Sequence, residues 1–169
     1  GCAAIEEAMA LCSIDKTSRV VNLGSGLGGP SRFISAKAGC EVLAVEMQHD
    51  LHRTAQALTD RCGLSEAVTH MAGDFMEVEK FLQRSSYSAI VSWLTVLHFS
   101  DRQALFRSCY ELLQPGGFFY MADLCRCKSL SVQERKLLRE EVYCHNLSSV
   151  AELTDELKAA GFCISFQEM

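Results

Sequence analysis

Residues 20–47 read VVNLGSGLGGPSRFISAKAGCEVLAVEM. Four glycines (Gly24, Gly26, Gly28 and Gly29) fall within six residues, between an apolar run and a helix-like segment, and a second apolar run closes on Glu46. A strand that feeds a helix through a glycine-rich turn aims the N–H groups at the helix start toward a ligand. Glycine permits positive φ there, and it lets a ligand approach main chain where a Cβ would clash. In an open parallel sheet this carboxyl edge is where ligands bind. A carboxylate at Glu46, one strand over, can accept hydrogen bonds from both hydroxyls of a ribose. To this point a dinucleotide and a nucleoside cofactor fit equally well.

Working outward, helices are expected over residues 1–12, 30–38, 50–62, 78–84, 101–113, 132–145 and 149–160. Strands are expected over 20–23, 41–46, 67–72, 88–94, 118–122 and 163–167. Pro30 suits a first helical turn, Gly39 a helix stop, and Pro115-Gly116-Gly117 a turn into the fifth strand. The run SAIVSWL (residues 88–94) has the unbroken apolar character of a buried parallel strand. Alternating strands and helices imply βαβ units with right-handed crossovers. The expected fold class is α/β and Rossmann-like: a mostly parallel sheet with helices on both faces. One domain over 1–169 is expected, with a substrate-covering insertion at 124–149. The chain stops just after the sixth expected strand and opens on Gly1, so a shortened chain lacking the final strand is the expectation.

The net charge is −5, and Lys and Arg form no cluster in the sequence. That argues against a nucleic-acid partner, whose phosphates call for a basic face. No apolar stretch reaches the roughly 20 residues that span a bilayer. The nine cysteines are odd in number and scattered. They include no CxxC pair, and Cys125-x-Cys127 has the wrong spacing for zinc. Reduced, mostly packing thiols in a cytoplasmic protein are expected, with no metal site.

Later segments break the tie between cofactors. GDF (residues 73–75) ends the third strand, where an Asp can accept from an adenine amino group while the Phe75 N–H and ring approach the base. SAIVSWLTVLHF and LLQPGGFFYMADLC bring two more strands to the same edge. In this order and spacing the chain resembles the class I S-adenosylmethionine-dependent methyltransferases over nearly its whole length. VVNLGSGLGG resembles their first motif, LAVEM their ribose acid, AGDF their adenine loop, AIVSWLTVLH their fourth motif and LLQPGG their turn before strand five. The resemblance implies S-adenosyl-L-methionine as cofactor. Asn22, Gly24, Ser25 and Gly26 would lie along its methionine part. Glu46 would hold the ribose and Met47 would pack on adenine. Gly73, Asp74 and Phe75 would surround the base, and the main chain at Ser92 would face the amino group. The family usually has an acid where Asn22 stands, so no charge is offered there to the cofactor's ammonium.

Methyl transfer from a sulfonium has a good leaving group, so the protein mainly aligns the acceptor and excludes water. A base is needed when the acceptor arrives protonated. SWLTVLHF, LLQPGGFFYMADLC and VYCHNLSSVAELTDELKAAGF are similar to segments of the phosphoethanolamine and sarcosine/dimethylglycine N-methyltransferases. That likeness implies a small-molecule amine acceptor, with His98 as the catalytic histidine. Trp93, Asp123 and Tyr143 are candidate acceptor contacts. The alternative for His98 is a strand-end cap, for Trp93 packing, and for Asp123 a loop cap. Arg126, Lys128, Arg135, Lys136 and Arg139 could meet a phosphate or carboxylate, or form a solvated helix face. Leu94 stands where the amine enzymes carry an Asp. It suits a less polar pocket, so methylation at carbon or oxygen of a sterol, phenol or quinone is the alternative chemistry. A cofactor-binding module without catalysis is the alternative of another kind. A monomer is the expected state.

Overall fold

The computed structural model describes residues 1–145 and 147–165. Helix α1 (Cys2–Leu11) precedes β1 (Arg19–Leu23), α2 (Gly29–Ala38), β2 (Glu41–Glu46), α3 (His49–Arg61) and β3 (Val68–Ala72). Then come α4 (Phe75–Val78), β4 (Tyr87–Trp93), α5 (Arg102–Leu112), β5 (Leu113–Ala122), α6 (Val132–Val142) and α7 (Val150–Ala159). Single 3₁₀ turns follow α4 at Glu79–Phe81 and β4 at Val96–His98. The sheet order is β3-β2-β1-β4-β5, and every pairing is parallel. Strand order reverses between β1 and β4, which makes the end of β1 the topological switch point.

Each strand alternates between two apolar layers. Val20, Val42, Ala44, Ala89 and Val91 pack with Met9 of α1 and Ile34 of α2. Val21, Leu23, Val45 and Ile90 pack with Leu105, Phe106 and Leu112 of α5 and with Phe75 and Val78 of α4. Leu153 and Leu157 of α7 close this second layer. Both faces of the central strands are therefore dry, as their continuous apolar sequences require.

Three local expectations are corrected. The helix placed at 78–84 begins instead at Phe75, because Asp74 Oδ1 accepts the Met76 N–H at 2.9 Å and starts the helix early. Pro115-Gly116-Gly117 is not a turn before β5 but a bulge within it. Leu113 pairs with Tyr87 and Phe118 with Ala89, so the intervening residues are extra length on one strand. Gly117 is needed in that bulge, since a Cβ there would sit 3.0 Å from the Gln114 carbonyl oxygen and 3.1 Å from that of Tyr87. Third, Cys163–Ser165 form no strand, leaving β5 at the sheet edge among the described residues; Gln167, the end of the expected sixth strand, lies outside them.

The cysteines are all free. Cys12, Cys40, Cys109 and Cys144 are buried, and burial raises the Cys12 thiol to about 12. Cys2, Cys62, Cys127 and Cys163 are exposed, so packing accounts for about half of the thiols rather than most of them. Among the described residues no helix is long and apolar enough to cross a membrane, and no group of three metal-ligating side chains converges.

Candidate active site

The glycine loop is docked onto the end of β2. The Val45 carbonyl accepts from the N–H groups of Gly24 (3.0 Å) and Ser25 (2.9 Å). The Gly26 N–H donates to Glu46 Oε2 at 2.8 Å, and the Gln48 N–H to Glu46 Oε1 at 2.9 Å. The N–H groups of Gly24, Ser25 and Gly26 therefore hold the loop in place. What the loop offers a ligand is close approach. Gly24 has φ +70°, and a Cβ on it would lie 2.2 Å from Thr95 Oγ1. Thr95, just past β4, thus seats the loop from the opposite side. Neither it nor Gln48 was marked by the sequence, since Thr95 acts through its side chain on a glycine far away in sequence and Gln48 through its main-chain N–H.

Glu46 is the hub of this edge. Its carboxylate is buried with one backbone donor on each oxygen, and each oxygen keeps further lone-pair capacity for a ribose hydroxyl. The Gly73 N–H donates to the Glu46 main-chain oxygen at 3.0 Å, which ties the third strand's exit to the same point. Met47 is exposed beside it, an apolar side chain suited to a flat base. Asp74 is also exposed, with Oδ1 accepting the Met76 N–H. Phe75 follows directly, as the first residue of α4. The residue is 4% exposed and packs in the apolar layer shared with α5.

Asn22 is 1% exposed, and its Nδ2 donates to Ser31 Oγ of α2 at 2.8 Å. Its Oδ1, with Ser25 Oγ and Ser92 Oγ, is buried without a partner among the described residues. Buried polar atoms are rarely left so, and these three gather at the loop and the ends of β1 and β4. The register pairs Asn22 with Val91 and Leu23 with Ser92, so the Asn22 and Ser92 side chains take opposite faces of the sheet. Asn22 thus sits beneath α2 and supports the loop. A buried, doubly bonded carboxylate, a glycine cradle and unsatisfied polar atoms beside it fit a polar adenosyl ligand.

On the acceptor side, Trp93 tilts against Tyr120 with ring centroids 5.7 Å apart, and its Nε1 is buried without a partner. It packs into the α1–α2 layer, the packing alternative for this residue. Leu94 follows at φ +52° and is 58% exposed, with its N–H on the Ala122 carbonyl at 2.9 Å. A non-glycine residue in that region is strained. Asp123 accepts from the Leu97 N–H (Oδ2, 3.2 Å) and the Leu124 N–H (Oδ1, 2.8 Å), and so caps the turn that carries His98. His98 is exposed, and its Nδ1 meets the Tyr143 carbonyl at 3.0 Å. A carbonyl only accepts, so Nδ1 carries the proton and Nε2 holds the free lone pair in the neutral ring. Tyr143 takes part through its main chain, in a left-handed cap of α6 at φ +52°.

A family described as "Methyltransferase domain" matches residues 20–117, more than half of the chain. Phosphoethanolamine N-methyltransferase 1 of Arabidopsis thaliana is 30% identical over 145 residues, which is 85% of this chain and 28% of that protein. Sterol 24-C-methyltransferase of Clavispora lusitaniae is 25% identical over 107 residues, 63% of this chain and 28% of that protein. The chain therefore spans little more than a quarter of either relative. The structure of phosphoethanolamine N-methyltransferase 2 of Haemonchus contortus in complex with S-adenosyl-L-methionine superposes with a TM-score of 0.80 at 20% identity, covering 93% of this chain and 36% of that one. The strand order, the glycine cradle, the Glu46 hub and the family match together place this chain among the class I S-adenosylmethionine-dependent methyltransferases.

Proposed function

We propose that this domain transfers a methyl group from S-adenosylmethionine to the amine nitrogen of a small acceptor, of phosphoethanolamine or sarcosine/dimethylglycine type. The bound cofactor supplies an electrophilic methyl on a sulfonium. Glu46 holds the ribose, Met47 and the Asp74 turn receive the base, and the loop at Gly24–Gly26 receives the amino-acid end. An amine is an ammonium at neutral pH and must lose a proton before its lone pair can attack. His98 Nε2 takes that proton. The observation that carries the reading is the His98 Nδ1 contact with the Tyr143 carbonyl, which sets the tautomer a base requires. The segment between β5 and α7 covers the acceptor, and the amine relatives support a nitrogen rather than a carbon.

The test is methyl transfer to phosphoethanolamine, sarcosine and dimethylglycine, read by mass. With an acceptor in hand, His98→Ala should lower kcat by about 10²-fold or more while S-adenosylhomocysteine affinity is kept. Undiminished turnover would remove the base role. Exposed Leu94 favours a second reading, a less polar acceptor such as the sterols of the more distant relative. Turnover of a sterol and none of the amines would establish it.

A further inference from the structure

Against the glycine loop, α2, α3 and β3 bring together a guanidinium and two imidazoles that the proposed chemistry does not use. Arg32 of α2 is half-buried, and its Nη1 donates to the Leu27 carbonyl of the loop at 2.8 Å. The same nitrogen lies 3.4 Å from the Ala55 carbonyl and 3.5 Å from Thr59 Oγ1, both in α3. Thr59 is buried, and its Oγ1 lies 2.8 Å from His70 Nε2 of β3. A chain of polar contacts thus runs from His70 through Thr59 and Arg32 to the loop. Gly28 closes the arrangement. Its φ is +73°, and a Cβ on it would meet Arg32 Nη1 at 2.8 Å and His70 Cε1 at 3.0 Å, so loop, guanidinium and imidazole share one small space. His52 of α3 stands edge-on to His70, with ring centroids 6.1 Å apart. Nδ1 of each ring is buried without a partner among the described residues. The titratable and charged groups facing His70 are Arg32 of α2 and His52 and Asp60 of α3. Burial, then His52 and Arg32, disfavour its imidazolium, and Asp60 alone favours it.

We propose that Arg32 is a positioning residue for the cofactor loop, and that its hold on the loop is set by the protonation state of His70. The proposal rests on the reading that this loop receives the amino-acid end of S-adenosylmethionine. With His70 neutral, Nε2 accepts the Thr59 hydroxyl proton, and the Thr59 lone pairs face Arg32 Nη1, which keeps the Leu27 carbonyl. An imidazolium carries a proton on both nitrogens. It reverses the bond to Thr59 and sets a second cation beside the guanidinium. Arg32 is then driven off, and the Leu27 carbonyl loses its donor. The change reaches the cradle through the turn itself, because the Gly28 N–H donates to the Ser25 carbonyl at 2.8 Å. The docked loop that holds the cofactor therefore favours neutral His70. Reciprocity requires that cofactor binding in turn make His70 harder to protonate.

Proton NMR of the imidazole resonances through a pH titration, with and without S-adenosylhomocysteine, reads this coupling in the wild type, and His70→Gln assigns the resonance. The His70 midpoint should move to lower pH when the ligand is bound; an unmoved midpoint overturns the proposal. Calorimetry with the same ligand reads the coupling from the other side. Affinity should fall between pH 7.5 and pH 5.5 in the wild type and fall less in His70→Gln, and equal slopes overturn it. At pH 7.5, Arg32→Gln should weaken binding by about tenfold, since a charged donor to the loop is lost. Arg32→Lys should recover part of that loss, because it returns a cationic donor. Unchanged affinity in Arg32→Gln also overturns the proposal. Saturable binding that Glu46→Ala weakens, yet that is indifferent to Arg32 and to pH, would remove this coupling and leave the cofactor edge standing. No saturable binding by the wild type at pH 7.5 would remove both.

Discussion

Gly24 is the most constrained residue of the glycine edge, because two independent demands meet on it. Its φ of +70° disfavours any side chain, and the Thr95 side chain occupies the space a Cβ would take. Gly24→Ala should cost on the order of 3 kcal/mol, from backbone strain and overpacking together. Thermal melting would read the loss, and a shift of less than a degree would contradict the packing described. Glu46 was legible from its position alone: an acid closing the strand next to a glycine loop. Thr95 was not, because its contact with Gly24 joins residues far apart in sequence and leaves no local pattern. The packing of Phe75 was hidden for a related reason. The GDF motif marks the turn, but whether a ring points to ligand or core depends on the helix that begins at that same residue.

At the scale of elements, α5 and α7 are joined by a charge pair set into the apolar layer. Buried Arg102 donates from Nε to Glu156 Oε2 at 2.9 Å and from Nη2 to Glu156 Oε1 at 2.7 Å. Its Nη2 also donates to Ser148 Oγ at 2.5 Å, which ties the acceptor-side segment to both helices. Removing one partner strands the other charge. Glu156→Ala should therefore destabilise by about 3 kcal/mol, whereas an Arg102→Met, Glu156→Leu pair should cost much less. Equal losses in denaturant unfolding would show that the bond itself, not the stranded charge, carries the effect. Periodicity made these helices readable to within a few residues, since α5 and α7 present clear apolar stripes. It could not distinguish a Pro-Gly-Gly turn from a bulge, because that difference lies in pairing with β4.

For the whole molecule, the parallel order β3-β2-β1-β4-β5 follows from alternation of strand and helix, and it brings the carboxyl ends of β1, β2, β3 and β4 to one edge. Stability should also depend on pH through a group beneath the glycine loop, where a Cβ on Gly28 would lie 3.0 Å from His70 Cε1. His70 of β3 shares a 2.8 Å hydrogen bond between Nε2 and Thr59 Oγ1, and its Nδ1 is buried without a partner. Burial, with His52 and Arg32 nearby, holds its pKa below the usual 6.5. The unfolded chain then binds a proton that the folded one refuses. Stability should be full above pH 6.5 and fall as the pH drops through that value toward the folded pKa. Melting temperatures from pH 7.5 to 5.5 should decline in the wild type and less steeply in His70→Gln; equal slopes would exclude His70 as the cause.

Glu46 joins the glycine loop to the exits of β2 and β3, and it is the residue proposed to hold the ribose. Calorimetry with S-adenosylhomocysteine on the wild type and Glu46→Ala reads that most directly. Saturable binding weakened by about tenfold or more is predicted, since charged hydrogen bonds and the loop's anchor are lost together. Equal affinity in the two proteins would contradict it.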